Sequence, residues 1–425
     1  MRYYKKVLAN GLRVITVPVK ETKAVTVLII FKVGSRQENR GWGGVSHFLE
    51  HLMFKGTKRR PSTLDISKAL DEVGAEYNAF TTKDHTGYYI KINYERLDLA
   101  LDMLSDMLQN SLFDPREIER EKGVIAEEIN MYEDNPLMYV EDVFEQTVFG
   151  KDHPLGRLVI GSRASVKKLS RSQIIDYYAR HYLAKRAVIV VAGPVSAEIT
   201  KKVNRYFSKL KPGNIEKKLP SQKTKQPSLK INLIKKKTEQ IQLCLGFPAL
   251  ASSDSRRYAL GLLTIILGGN MSSRLFISIR ERQGLAYYIR ADANFYEDNG
   301  TFLIQAGLDK SRLVQAIEAI LKELEAVVQK PVTQAELRKA KEFIRGKTVL
   351  ELEDSSNLAV WYGRQEALEG KIITPEERYN RIKKVTRSEI NKIAKQIFRQ
   401  SKLNIALIGP IGDISKIRGA VRGRL

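Results

Sequence analysis

Five residues, His47-Phe48-Leu49-Glu50-His51, constrain this chain more than any other stretch. On a helix, two histidines four residues apart project from one face and can grip a single zinc ion. Glu50 then stands beside His51, close enough to act on a water at the metal rather than on the metal itself. The order H-x-x-E-H inverts the commoner H-E-x-x-H zinc motif. Neutral imidazoles leave zinc electrophilic, and a carboxylate can take a proton from water and pass it on. The same helix carries Val45, Phe48, Leu49, Leu52 and Met53. That apolar set would bury it with or without a metal, so the pentad needs support from elsewhere in the chain.

With 425 residues, 43% of them hydrophobic, the chain can bury more than one core, and its length suggests about two to three domains. Cys244 is the single cysteine. That excludes an intramolecular disulfide framework and a cysteine-based zinc site, and its setting, Ile241–Gly246, reads as an interior strand. No apolar stretch follows Met1-Arg2-Tyr3-Tyr4-Lys5-Lys6, and no apolar run reaches about 18 residues. The expectation is a soluble, cytoplasmic chain that does not enter a membrane. A net charge of +24 would suit a polyanionic partner. However, the basic residues are spread along the chain and interleaved with acids, as in Glu117-Ile118-Glu119-Arg120-Glu121-Lys122. No nucleic-acid-binding motif accompanies them, so a solvated basic surface and no nucleic-acid partner are expected.

Along the first half, period-two alternation predicts strands over 12–17 and 24–31, then over 76–82 and 85–92. Helices are expected over 63–74, 95–108 and from Pro115 to about Tyr132, the last with Asp114 as its cap. A buried strand over 188–193 closes the half. A site of two histidines needs a third protein ligand if one position is to stay open. Glu128, 77 residues after His51, and its neighbour Glu127 both qualify by position. Glu121, seven residues before Glu128, shares its helical face and is a candidate partner for a ligand. His153 reads as structural.

Together the H-x-x-E-H helix, the downstream glutamate and the Asn78-Ala79-Phe80-Thr81 strand resemble the insulinase/pitrilysin family of zinc peptidases, the inverzincins. The resemblance spans nearly the whole chain and is nearest to the short-chain branch, with the mitochondrial processing peptidase β subunit and its bacterial relatives. It implies one Zn2+ per chain held by His47, His51 and Glu128, with Glu50 as general base. It also implies that Asn78, Ala79, Phe80 and Thr81 form an edge strand on which a peptide substrate lies, and that Arg280 and Tyr287 face that substrate. Unfolded peptides or short polypeptides in a closed chamber are the implied substrates. A homodimer, or pairing with a homologous subunit, is the implied assembly, because longer members enclose substrate with four such domains. A catalytically silent assembly subunit is the alternative within the family, and the intact metal set argues against it.

From 210 to 230 prolines and lysines accumulate, which predicts a linker. Beyond it the first half's plan recurs: strands over 229–233, 241–247, 285–294 and 300–308, and helices over 256–267, 313–328 and 333–348. Aligning Ile118 with Leu337 sets Lys347 opposite Glu128, and no H-x-x-E-H recurs. The expected fold is therefore α+β: two homologous domains of mixed or antiparallel sheet packed with helices, related by internal duplication. They would comprise residues 1–209, with the zinc motif, and 231–425, with the Arg280/Tyr287 pair.

Overall fold

The computed structural model describes residues 2–213 and 226–424. Residues 214–225 of the expected linker thus lie outside the described residues. One sheet contains β1 (Tyr4–Val7), β2 (Arg13–Pro18), β3 (Ala24–Phe31), β4 (Glu76–Thr81), β5 (Thr86–Asn93) and β6 (Ala187–Gly193). Their order is β1-β2-β6-β3-β5-β4. The other contains β7 (Lys230–Lys235), β8 (Ile241–Pro248), β9 (Ala286–Phe295), β10 (Gly300–Leu308) and β11 (Asn404–Gly409), ordered β7-β11-β8-β10-β9. With β1 set aside, the two orders are the same. So are the senses: β2–β6 and β7–β11 run parallel, and the other pairings are antiparallel. The duplicated α+β plan is therefore present strand for strand. The central strands β3 and β6 read as nearly unbroken runs of β-branched and apolar residues because both of their faces are covered.

The helices that matter to the site are α1 (Val45–Leu52), α2 (Thr63–Asp71), α3 (Leu97–Asn110) and α4 (Pro115–Asp134), followed by α5 (Pro136–Phe149). Asp114 caps α4 by accepting the Arg116 N–H at 2.7 Å. The chain packs as two compact units. One is drawn from Met1–Ile129, Arg157–Pro220 and Thr348–Pro375, the other from Asn130–Gly156, Ser221–Lys347 and Glu376–Leu425. The units have therefore exchanged equivalent helices. In the first, the helix Ser355–Glu369 lays Leu358, Ala359 and Tyr362 on Ile15, Leu28, Ile30 and Val190. Gly363 permits that approach, since a Cβ there would stand 3.0 Å from both Ile30 and Val190. In the second, α5 lays Val140, Val143 and Phe144 on Cys244, Leu303 and Ala406. Cys244 is the interior strand residue expected, and His153 stacks on Phe149 with ring centroids 5.3 Å apart. Among the described residues no helix is long and apolar enough to cross a membrane.

The start of α1 is held by a side chain that precedes it. Gly44 occupies the N-cap with φ +91°, and a Cβ there would meet the Ile160 carbonyl oxygen at 2.6 Å. A glycine has no side chain with which to cap, and the first-turn amides need acceptors. Glu38 supplies them: its two oxygens accept the N–H groups of Gly44 and Ser46, each at 2.9 Å. The carboxylate is 4% exposed. Ser46 is tied further to Tyr177 by a 2.8 Å hydroxyl contact.

Burial pushes the Glu38 carboxyl up to about 7, against the opposing hydrogen bonds from Ser46 and Gly44. Above the ordinary value near 4.5, the folded chain keeps a proton that the unfolded chain has released. The stability Glu38 contributes is therefore full below pH 4.5 and declines as pH rises toward 7. Glu38→Gln does not titrate and cannot accept from both amides. Its melting temperature should fall below wild type by the widest margin near about pH 5 and by a narrower one near about pH 8. Thermal melts of both proteins at both pH values check this, and equal margins would show that Glu38 does not titrate in the fold.

Candidate metal centre

His47 and His51 lie one turn apart on α1, with ring centroids 4.7 Å apart. The apolar face beneath them, Val45, Phe48, Leu49 and Leu52, is buried, which leaves the imidazoles directed away from the core. α4 brings in the carboxylates. Its buried stripe is Ile118, Glu121, Ile125 and Ile129, so Glu121 occupies a core-facing position in an otherwise apolar row. Glu128, two turns on, shares that face.

Glu128 Oε2 lies 3.6 Å from His47 Nε2 and 3.5 Å from His51 Nε2. One ligand atom from each of the three residues falls within 4.8 Å of the others. Glu127 is not part of this group. The separations are too long for hydrogen bonds. Glu128 Oε2 and His47 Nδ1 are buried without a hydrogen-bond partner among the described residues. Zinc bonds of about 2.0–2.1 Å at tetrahedral angles set ligand atoms about 3.3–3.4 Å apart. The spacing thus suits a shared metal ion, and three protein ligands would leave a fourth position for water or substrate.

His51 Nδ1 donates to Glu121 Oε2 at 3.0 Å, which turns His51 Nε2 toward Glu128. Glu121 is 1% exposed, and its other oxygen pairs with Lys55 Nζ at 2.6 Å. The two imidazoles consequently differ. Burial, with the charge of His51, pushes His47 down to about 4. Burial alone would also lower His51, but the hydrogen bond to Glu121 and the nearby Glu128 carboxylate outweigh it and raise His51 to about 9. Glu50 receives the Thr81 hydroxyl at 2.5 Å on Oε2. Burial raises the Glu50 carboxyl, with the Thr81 hydrogen bond opposing.

The substrate-facing residues inferred from the resemblance divide between the two units. Asn78, Ala79, Phe80 and Thr81 lie on β4, at the edge of the first sheet. Asn78 Oδ1 accepts the Ala79 N–H at 2.8 Å, and Thr81 is engaged with Glu50. Arg280 and Tyr287 belong to the second unit. Arg280 lies over the Phe276 ring at 4.7 Å in the π-helical segment Phe276–Arg282, and Tyr287 stands 74% exposed on the edge strand β9. Sequence reasoning missed Lys55 and Glu38. A lysine one turn beyond His51 and an acid shortly before a glycine-started helix were the available signals.

Known proteins resemble the chain along its length. Residues 13–162 match the family model described as Insulinase (Peptidase family M16), and residues 168–344 match the Peptidase M16 inactive domain. An uncharacterized zinc protease of Streptomyces coelicolor is 37% identical over 97% of this chain and 91% of its own length. Another, from Bacillus subtilis, is 36% identical over 95% of this chain and 98% of its own. Among solved structures, a protease from Helicobacter pylori superposes with a TM-score of 0.88 at 26% identity, covering 96% of this chain and 99% of that one. A Pseudomonas fluorescens peptidase M16 inactive domain superposes at 0.89 with 19% identity over 97% and 98%, a likeness of fold.

Metal uptake should follow the protonation of His51. Without metal it holds a proton below about pH 9, whereas His47 is already neutral above about 4. Zinc must displace that proton, so apparent affinity should climb about tenfold per pH unit through neutrality and level off near the His51 value. Competition against a chelator at several pH values measures it. An affinity independent of pH between about 6 and 8 would contradict a His51 that holds a proton at neutral pH.

Proposed function

The chain belongs to the insulinase (M16) family of peptidases, and from that premise we propose that it is a zinc-dependent endopeptidase of unfolded peptides or short polypeptides. The observation that carries this reading is the His47, His51 and Glu128 group, spaced for one metal ion beside the Glu50 carboxylate. The match in length to its zinc-protease relatives supports a place in the short-chain branch. When bound, zinc would supply Lewis-acid polarisation of the scissile carbonyl and of the attacking water. Glu50 takes a proton from that water and returns it to the leaving amine. Thr81, bonded to Glu50 Oε2, leaves Oε1 for this exchange. The free side of β4 accepts the peptide as an added strand along Asn78, Ala79, Phe80 and Thr81. Arg280 and Tyr287 steady the substrate carbonyl and its developing charge.

The metal group is whole in the first half, which favours a working enzyme over a silent assembly subunit. Glu50→Gln should keep zinc, because a base is not a ligand, and should lose at least about 10²–10⁴ in turnover of a quenched peptide. Metal analysis alongside cleavage, with and without a chelator, decides it. Cleavage at the wild-type rate by pure Glu50→Gln would sink the assignment.

Two copies of this chain supply four domains, and a two-fold homodimer is the simplest closed assembly. In that dimer Arg280 and Tyr287 of one copy serve the zinc of the other. Mixing Glu50→Gln with Tyr287→Phe, after verified subunit exchange, should raise activity well above either parent. Activity that stays at the parental average would overturn the shared site.

A further inference from the structure

Lys55 stands outside the metal group, yet its ammonium forms an ion pair with the carboxylate that orients it. Nζ lies 2.6 Å from Glu121 Oε1, while Glu121 Oε2 takes the His51 Nδ1–H at 3.0 Å. The two oxygens of a carboxylate removed from water are thereby divided between one cation and one ligand. The backbone fixes the approach, because Lys55 follows α1 directly and its N–H donates to the Leu52 carbonyl at 3.1 Å. Asp114 and Glu117 line the same cavity as Lys55, about 460 Å³ in volume, but they pair with Arg116 at 3.5 Å and Arg120 at 2.8 Å.

We propose that Lys55 is a positioning residue of the metal centre: it holds Glu121 in the orientation that fixes His51, with Nε2 presented toward Glu128 and the metal. The inference rests on the zinc-peptidase reading. Without Lys55, one oxygen of Glu121 is left buried and unpaired, a costly state that the carboxylate relieves by turning or by drawing in water. Either movement loosens the hydrogen bond on His51 Nδ1. A metal ligand whose outer partner is disturbed typically binds about 10–100-fold more weakly.

The test is zinc affinity of the full chain, by competition with a chelator, for wild type, Lys55→Met, Lys55→Arg, Glu121→Gln and the Lys55→Met/Glu121→Gln double variant. Lys55→Met should weaken zinc about 10–100-fold, and Lys55→Arg should recover most of the loss. If Lys55 acts through Glu121, adding Lys55→Met to Glu121→Gln should cost less than about threefold more. A merely structural lysine would instead lower affinity equally in both backgrounds, and that additivity overturns the proposal, as does a Lys55→Met protein that binds zinc like wild type. Should Lys55→Met fail to fold by circular dichroism, Lys55→Gln carries the same comparison. Failure of the wild-type chain to take up zinc would overturn the peptidase reading as well; wild-type uptake with an unaffected Lys55 variant overturns the role of Lys55 alone.

Discussion

A carboxylate almost wholly removed from water joins the two helices of the candidate metal centre. Glu121 sits in the buried stripe of α4 among isoleucines and reaches His51 on α1 with one oxygen and Lys55 with the other. Burying a carboxylate is costly unless its charge is matched and its oxygens are hydrogen-bonded. The price is met here by partners just before and just after the end of α1. The packing of α1 on α4 and the aim of His51 are consequently one feature of the structure. If the helices separate, a buried charge loses its partners; while they hold, His51 Nε2 and Glu128 Oε2 stay at metal-sharing distance.

At its other end α1 is fixed by a second buried carboxylate. Glu38 accepts two first-turn amides that have no acceptor within the helix. Both ends of this eight-residue helix are thus held by acids that lie outside it in sequence. An isolated helix of that length is not stable in water. Its apolar face supplies burial, and the two carboxylates supply direction. That arrangement sets the two imidazoles one turn apart, with Glu128 Oε2 3.6 Å from His47 Nε2 and 3.5 Å from His51 Nε2.

The two sheets share one order and one set of strand senses, but their chemistry differs. The second half contains no histidine, and the repeat read from the sequence sets Lys347 opposite Glu128. A fold can therefore be kept while its site is lost, because strand order depends on apolar pattern and turn geometry, and metal binding depends on a few polar atoms. The exchange of Ser355–Glu369 and α5 adds a constraint that strand order alone does not contain. Each sheet is completed by a helix from the opposite half of the sequence.

The local pattern of the sequence was enough to determine the pentad helix, the principal strands and the repeated plan. His47 and His51 share a face because 3.6 residues make a turn, and the β-branched runs over 24–31 and 188–193 favour strands. The family resemblance singled out Glu128 from Glu127, which spacing by itself left open. Tertiary structure decided what local pattern cannot encode. Hydrophobic period shows that a helix has an apolar face but not which sheet that face will cover, so the exchange of helices was not legible. The stretch after Thr348, left unassigned, contains β11, which inserts between β7 and β8, a pairing that only long-range packing provides. The resemblance placed Thr81 on the substrate strand, and the approach of β4 to α1 also sets its hydroxyl on Glu50. Lys55 and Glu38 were two charges among many in a basic chain, because a charge acquires a role only when folding removes water from its partner.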